Sequence, residues 1–202
     1  MTLFILIATC VVTVLCFYNQ SLFYKLDFQP YEIQRNPIKE LHRFLTHGFI
    51  HADWMHLLFN MLSFYFFAGA VEMVFQVKFP DRAMTYFLLL YIGGIFMSVI
   101  HTYEKHKNDI HYHGVGASGG VSAVMMASVI YFPLNEICLY GILCFPGIIW
   151  AVIYLGYSFF MGRRGGDYIN HDAHFIGAVY GVAITLILDR HALSEFIAQL
   201  TQ

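Results

Sequence analysis

The sequence predicts an all-α fold: a polytopic membrane bundle of six transmembrane helices with a long, partly helical first loop. Three observations lead there. Of 202 residues, 58% are hydrophobic and only 12% are charged, and the mean hydropathy is +0.60, whereas a soluble domain carries about 25% charged residues. Apolar stretches of bilayer length, roughly 17 to 25 residues each, recur at about 2–18, 54–76, 83–102, 116–134, 138–160 and 172–189. Almost nothing remains outside them, so residues 1–202 read as one domain and any chemistry falls to the bundle itself. The lipid bilayer is the partner this composition implies, and the absence of a basic cluster argues against nucleic acid.

Each element has its own justification. The first stretch, MTLFILIATCVVTVLCFYNQ, lacks the positively charged start and the small-residue cleavage site of a secretory signal, so a retained helix is expected. The segment before the second stretch, about 35 residues, is too long for a bare loop and too polar to span, so short interfacial helices are expected in it. The later connections are short: QVKFPD, a His-rich YEKHKNDIHYHGV, NEI, and MGRRGGDYINH. Cys10, Cys16, Cys138 and Cys144 all fall inside the predicted stretches without CxxC spacing, and read as small apolar residues that report no redox compartment. Counted by alternation, the side of the long loop carries Lys25, Arg35, Lys39, Arg43, Lys105, Lys107, Arg163 and Arg164 against Lys78, Arg82 and Arg190 opposite. Positive-inside alone would put that loop in the cytoplasm.

Polar residues within the stretches carry the functional signal, because burying them in a bilayer is costly. In HADWMHLLFN, His56 and Asn60 are four apart and share a helical face, with His51 just before them. Taken alone they read as interhelical hydrogen-bonding partners, and no third ligand stands at metal-binding spacing. In GVGASGG, Ser118 falls in the first turn of the fourth stretch, where the orphan N–H groups of a helix start favour negative charge. Taken alone, Gly116, Gly119 and Gly120 read as serving only close helix packing, with Ser118 a small interface residue. A serine hydroxyl needs a base, and the sixth stretch offers one. His174 shares a face with Gly177 and Gly181, which would let the backbone of another helix approach closely. His171, three residues earlier, lies about 4.5 Å nearer the loop by helical rise and reads as a loop-end residue that orders water or substrate backbone.

Together, Gly116-Ala117-Ser118-Gly119, His174 with Gly177 and Gly181 after it, and the His51, His56, Asn60 spacing resemble the rhomboid family of intramembrane serine proteases. The resemblance covers all six stretches and the first loop. It implies an integral, multi-pass protein, expected in a bacterial cytoplasmic membrane, that cleaves transmembrane protein substrates without cofactor or metal. It also implies a Ser118 and His174 dyad, with an oxyanion hole from the Ser118 N–H, His56 and Asn60. The long loop would then face the exterior, against the charge count. Glu72 in GAVE resembles the family's ending of the second helix, and Arg43 matches the arginine of a Trp-Arg pair in the loop. Two positions depart from the pattern: His42 stands where that Trp would be, and Ser122 stands where bacterial relatives often carry a Tyr stacked on the catalytic His. Two other readings follow from the same residues. One is a non-catalytic rhomboid-like protein that binds membrane segments for quality control; the other is a channel or transporter using the histidines, which no second-half repeat supports.

Overall fold

The computed structural model describes residues 1–139, 141–164 and 169–201. The chain is mostly helical. α1 (Thr2–Tyr18) packs along α6 (Trp54–Lys78). The start of α1 is tied to α6 where the Thr2 backbone N–H and hydroxyl both donate to Glu72 Oε2, at 3.0 and 2.6 Å; Glu72 does not end the second helix as expected, since α6 continues to Lys78. Between them the chain forms α2 (Gln20–Leu26), α3 (Pro30–Arg35), α4 (Pro37–Glu40), α5 (Arg43–Thr46) and a 3-10 turn over His47–Phe49. Pro30 and Pro37 open α3 and α4, a position where the missing N–H costs nothing. Asp53 starts α6 by accepting from the His56 N–H at 2.8 Å.

α7 (Ala83–Ser98) and α8 (Ile100–His106) run end to end, followed by α9 (Ser118–Tyr131), α10 (Gly147–Arg164), α11 (His171–Leu188) and α12 (Ala192–Leu200). Three of these runs are long and apolar enough to cross a membrane: Trp54–Lys78, Ala83–His106 and His171–Leu188. α1 and α9 are apolar but shorter, and α10 has 18 residues with Arg163 and Arg164 in its last turn. α9 is the hub. Every residue after Ser118 except Met125 is buried, which is what an apolar helix hydrophobic all round requires. On one side it meets α7, where a Cβ on Gly120 would press on the Tyr91 carbonyl and one on Gly94 would meet Ala123.

On the other side α9 meets α11 backbone to backbone. A Cβ at Gly177 would fall on the Gly119 carbonyl, and one at Gly181 on the Ala123 carbonyl. Both contacts advance by four residues in the same direction, so α9 and α11 run parallel and begin at the same end. At the far end, Lys78 pairs with Asp189 (2.7 Å) and Glu195 (2.5 Å), tying α6 to α11 and α12.

One predicted stretch is corrected. The apolar run expected to be a single helix from about 138 to 160 begins as an antiparallel hairpin, β1 (Glu136–Leu139) with β2 (Leu143–Pro146), and the helix starts only at Gly147. Composition did not separate the two, since short apolar runs read alike as strand or helix. Pro146, after which α10 begins, is the local signal that was present. Cys138 and Cys144 face each other across the hairpin and are disulfide-bonded, so these two are not merely small apolar residues; Cys10 and Cys16 are free. Of the connection at 161–171, residues 165–168 lie outside the described residues.

Gly181→Val should separate α9 from α11 and lower stability by about 1–3 kcal/mol, the usual cost of overpacking a tight contact. Thermal unfolding in detergent checks this, with Gly156→Ala, whose Cβ would meet nothing within 4 Å, as the neutral control.

Candidate active site

The register of α9 on α11 decides what meets. Ser118 directly precedes Gly119, and His174 lies one turn before Gly177, so both stand at the end where the two helices begin. Ser118, His174, His56, Asn60 and His171 all line one open cavity of about 1000 Å³, as does Tyr154 of α10. Ser118 is the first residue of α9, and the first intrahelical bond runs from Val121 N–H to the Ala117 carbonyl at 2.9 Å. Helix geometry therefore leaves the N–H groups of Ser118, Gly119 and Gly120 without acceptors in their own helix. Such N–H groups at a helix start can hold an anion.

The loop entering α9 is held from several sides. Gly116 has φ +120, and a Cβ there would sit 2.8 Å from Cε1 and Nε2 of His56, so both backbone and space require glycine. Its N–H donates to the His47 carbonyl at 2.9 Å. Beneath it a proton relay fixes His51, which is fully buried. The Thr13 hydroxyl donates to the Phe49 carbonyl (3.1 Å), leaving its oxygen to accept from His51 Nδ1 (3.1 Å), while the Ala117 N–H reaches His51 Nε2 at 3.5 Å. Only the neutral Nδ1–H tautomer satisfies all three. His51 thus does not line the cavity; it orders the backbone just before Ser118. Its ring stands edge-on to that of His56, 5.0 Å between centroids.

Asn60 is buried and donates one amide proton to the His56 carbonyl of its own helix at 3.0 Å. The second proton is the one available to a bound group. His171 opens α11, buried, with its ring edge-on to Tyr157 at 5.4 Å. Asn170 caps that helix, accepting from Ala173 N–H (3.0 Å) and donating to Thr102 Oγ1 (2.8 Å) and the Tyr112 hydroxyl (3.1 Å). Its place before HDAH is a legible cap signal.

The two departures are each accommodated. Without a Trp at position 42, Arg43 is anchored by carboxylates: Nη1 donates to the Asp27 carbonyl (2.8 Å) and Oδ1 (2.7 Å), and Nε to Glu40 Oε2 (2.7 Å). Asp27 is fully buried, and its Oδ2 meets His113 Nδ1 at 2.7 Å, which ties the first loop to the segment leading into Ser118. In place of an aromatic at 122, Tyr154 lies nearly parallel to the His174 ring, 19° between planes and 6.3 Å between centroids. Among the described residues no three His, Cys, Asp or Glu side chains gather as a metal ion would require.

Two buried histidines of the loop give the fold an acid limit. Burial pushes the His47 imidazole down to about 4, partly countered by its bond to the Arg43 carbonyl. Burial, reinforced by His56, pushes His51 down to about 3. In the unfolded chain both would protonate near pH 6.5. Between those values the unfolded state binds protons that the native state refuses, so stability falls as pH drops from about 6.5 toward 4, by roughly 1.4 kcal/mol per group per pH unit. His51→Gln should lower stability at pH 7 yet flatten this slope by about one proton, as read from unfolding midpoints in detergent between pH 4 and 7. An unchanged slope would show that His51 is not buried neutral.

Comparison with known proteins follows the same lines. The rhomboid domain profile matches residues 39–191. RHOMBOID-like protein 12, mitochondrial, of Arabidopsis thaliana is 26% identical over 149 residues, 68% of this chain and 44% of that protein. The chain thus spans less than half the length of that plant relative. Rhomboid protease GlpG of Haemophilus influenzae is 25% identical over 183 residues, covering 88% of this chain and 85% of its own. Putative rhomboid protease YdcA of Bacillus subtilis is 38% identical over 79 residues, 39% of this chain and 35% of its own. With a matching profile over most of its length and three helices fit to cross a bilayer, the chain is an integral membrane protein and belongs to the rhomboid family.

Proposed function

We propose that this chain is an intramembrane serine endopeptidase that cuts transmembrane segments of membrane proteins, with Ser118 as nucleophile and His174 as general base. The observation that carries this is the parallel contact of α9 and α11 at Gly119 and Gly177, with Ser118 and His174 on the wall of one cavity. In the proposed reaction the Ser118 hydroxyl attacks a peptide carbonyl while its proton passes to His174. The oxyanion is held by the Ser118 N–H, the free amide proton of Asn60 and the His56 ring. His174 then protonates the leaving amine, and water hydrolyses the acyl-enzyme. Gly116 and Gly119 supply the close backbone approach that this site needs. A helical scissile bond has its carbonyl and amide tied up, so the substrate segment must unwind as it enters.

The bundle we propose is a single domain of six spans. α1 and α9, at 17 and 14 residues, reach about 25 and 21 Å by helical rise, short of a core of about 30 Å. The burial of α9 supports its crossing all the same, because the hub is sheathed by other helices and need not match the lipid itself. A bacterial cytoplasmic membrane is the proposed location, supported by the Haemophilus relative, which aligns over most of both chains.

Ser118→Ala should abolish cleavage of a tagged single-span substrate and labelling by a fluorophosphonate, with insertion unchanged. A non-catalytic membrane-segment binder would not label at all. His174→Ala should be equally inactive, while His171→Ala only weakens turnover; the reverse pattern would reassign the base. Asn60→Ala should lower kcat by about 10²–10³, as loss of one oxyanion donor does, while Ser118 stays reactive to the small probe.

A further inference from the structure

We infer that Tyr154 is a positioning residue for the base and that Ser122 holds Tyr154 in place, so that α10 contributes to a site otherwise built on α6, α9 and α11. The inference rests on the Ser118 and His174 assignment above. Two independent contacts carry it: the near-parallel rings of Tyr154 and His174, and a short hydrogen bond of 2.5 Å between the Tyr154 hydroxyl and Ser122 Oγ.

Counting protons fixes the direction of that bond. Ser122 Oγ also lies 2.7 Å from the Ser118 carbonyl. A carbonyl can only accept, so the single Ser122 proton goes to Ser118, and the Tyr154 O–H must donate to Ser122 Oγ. The phenol is therefore tied through one serine to the backbone of the nucleophile, while its ring faces the base. An offset stack at 4.5–7 Å between centroids is a favourable aromatic geometry. Ser122 is nearly fully buried. A side chain this small leaves the space that the Tyr154 ring occupies, so the two positions work as a pair.

The placement on α10 is specific. The buried residues of that helix are Gly147, Ala151 and Ser158, and Tyr154 lies between the last two on the same face, whereas Val152, Ile153 and Phe160 are exposed and Tyr157, also largely exposed, meets the ring of His171. Tyr154 is thus the aromatic of α10 that its own packing turns toward the cavity.

The test compares Tyr154→Phe, Tyr154→Leu and Ser122→Ala in the full-length protein in detergent, with fluorophosphonate labelling rates and kcat and KM on one transmembrane substrate. Tyr154→Leu should lower kcat and the labelling rate by about 10- to 100-fold with KM within about twofold. Tyr154→Phe, which keeps the ring but loses the bond to Ser122, should recover only part of that loss, and Ser122→Ala should resemble Tyr154→Phe; unaltered kcat in both would overturn the role given to Ser122. Equal kcat in Tyr154→Leu and the unaltered protein would overturn the inference while leaving the protease reading intact. Phe and Leu being equally poor would also overturn it, since the ring would then not matter. If the unaltered protein neither labels nor cleaves, both readings fail together.

Discussion

The structure depends on one contact, the backbone of α11 laid against the backbone of α9 at Gly177 and Gly181. Inside a bilayer there is no hydrophobic force to bring helices together, since lipid is as apolar as leucine. What remains is dispersion between closely packed atoms, and that grows only where side chains do not hold backbones apart. Small residues on α9 and α11 meet this condition, and Gly94 and Gly120 repeat it between α7 and α9. Because the contact is parallel and in register, it also sets the level of residues one turn away. Packing and site geometry are then the same fact, and a change that loosens the helices cannot leave the cavity wall as it was.

The polar groups obey a complementary constraint. A buried hydrogen-bonding group without a partner is costly, more so where water is scarce, and this chain answers with relays that join distant segments. The relay through Thr13, His51 and Ala117 ties α1 to the start of α9. Asp27, Arg43 and His113 tie the first loop to the same place. These relays brace the segment around residues 114 to 118 on two sides.

How much of this was legible depends on the range of each interaction. The helix starts at Trp54, Ser118 and His171 could be read nearly to the residue, because caps and apolar runs are local signals. The glycine spacing on α11 revealed which face of the helix would be approached. What could not be read were partners supplied by other elements. Nothing near position 122 announces an aromatic 32 residues later, and nothing near Arg43 announces the carboxylate 16 residues earlier that pairs with it. A single chain shows that an anchor is missing from its usual place, but not which helix supplies the substitute. The hairpin before α10 was hidden for another reason. Its residues are apolar enough to pass for a span, and only Pro146 marked the break.

The disulfide at the tip of that hairpin has a topological meaning. Ser118 begins α9 and the cysteines follow its far end, so the two sulfurs stand at the opposite pole of the hub from the cavity. If α9 crosses the bilayer, the cavity and the sulfurs face different compartments. Of the two sides of a cell membrane, one sustains disulfides and the other reduces them. Under that condition the thiol state of Cys138 and Cys144 in living cells is a built-in compass: a persistent bond would turn the cavity toward the reducing side, whereas the exterior-facing first loop implied by the family resemblance would leave both cysteines as thiols.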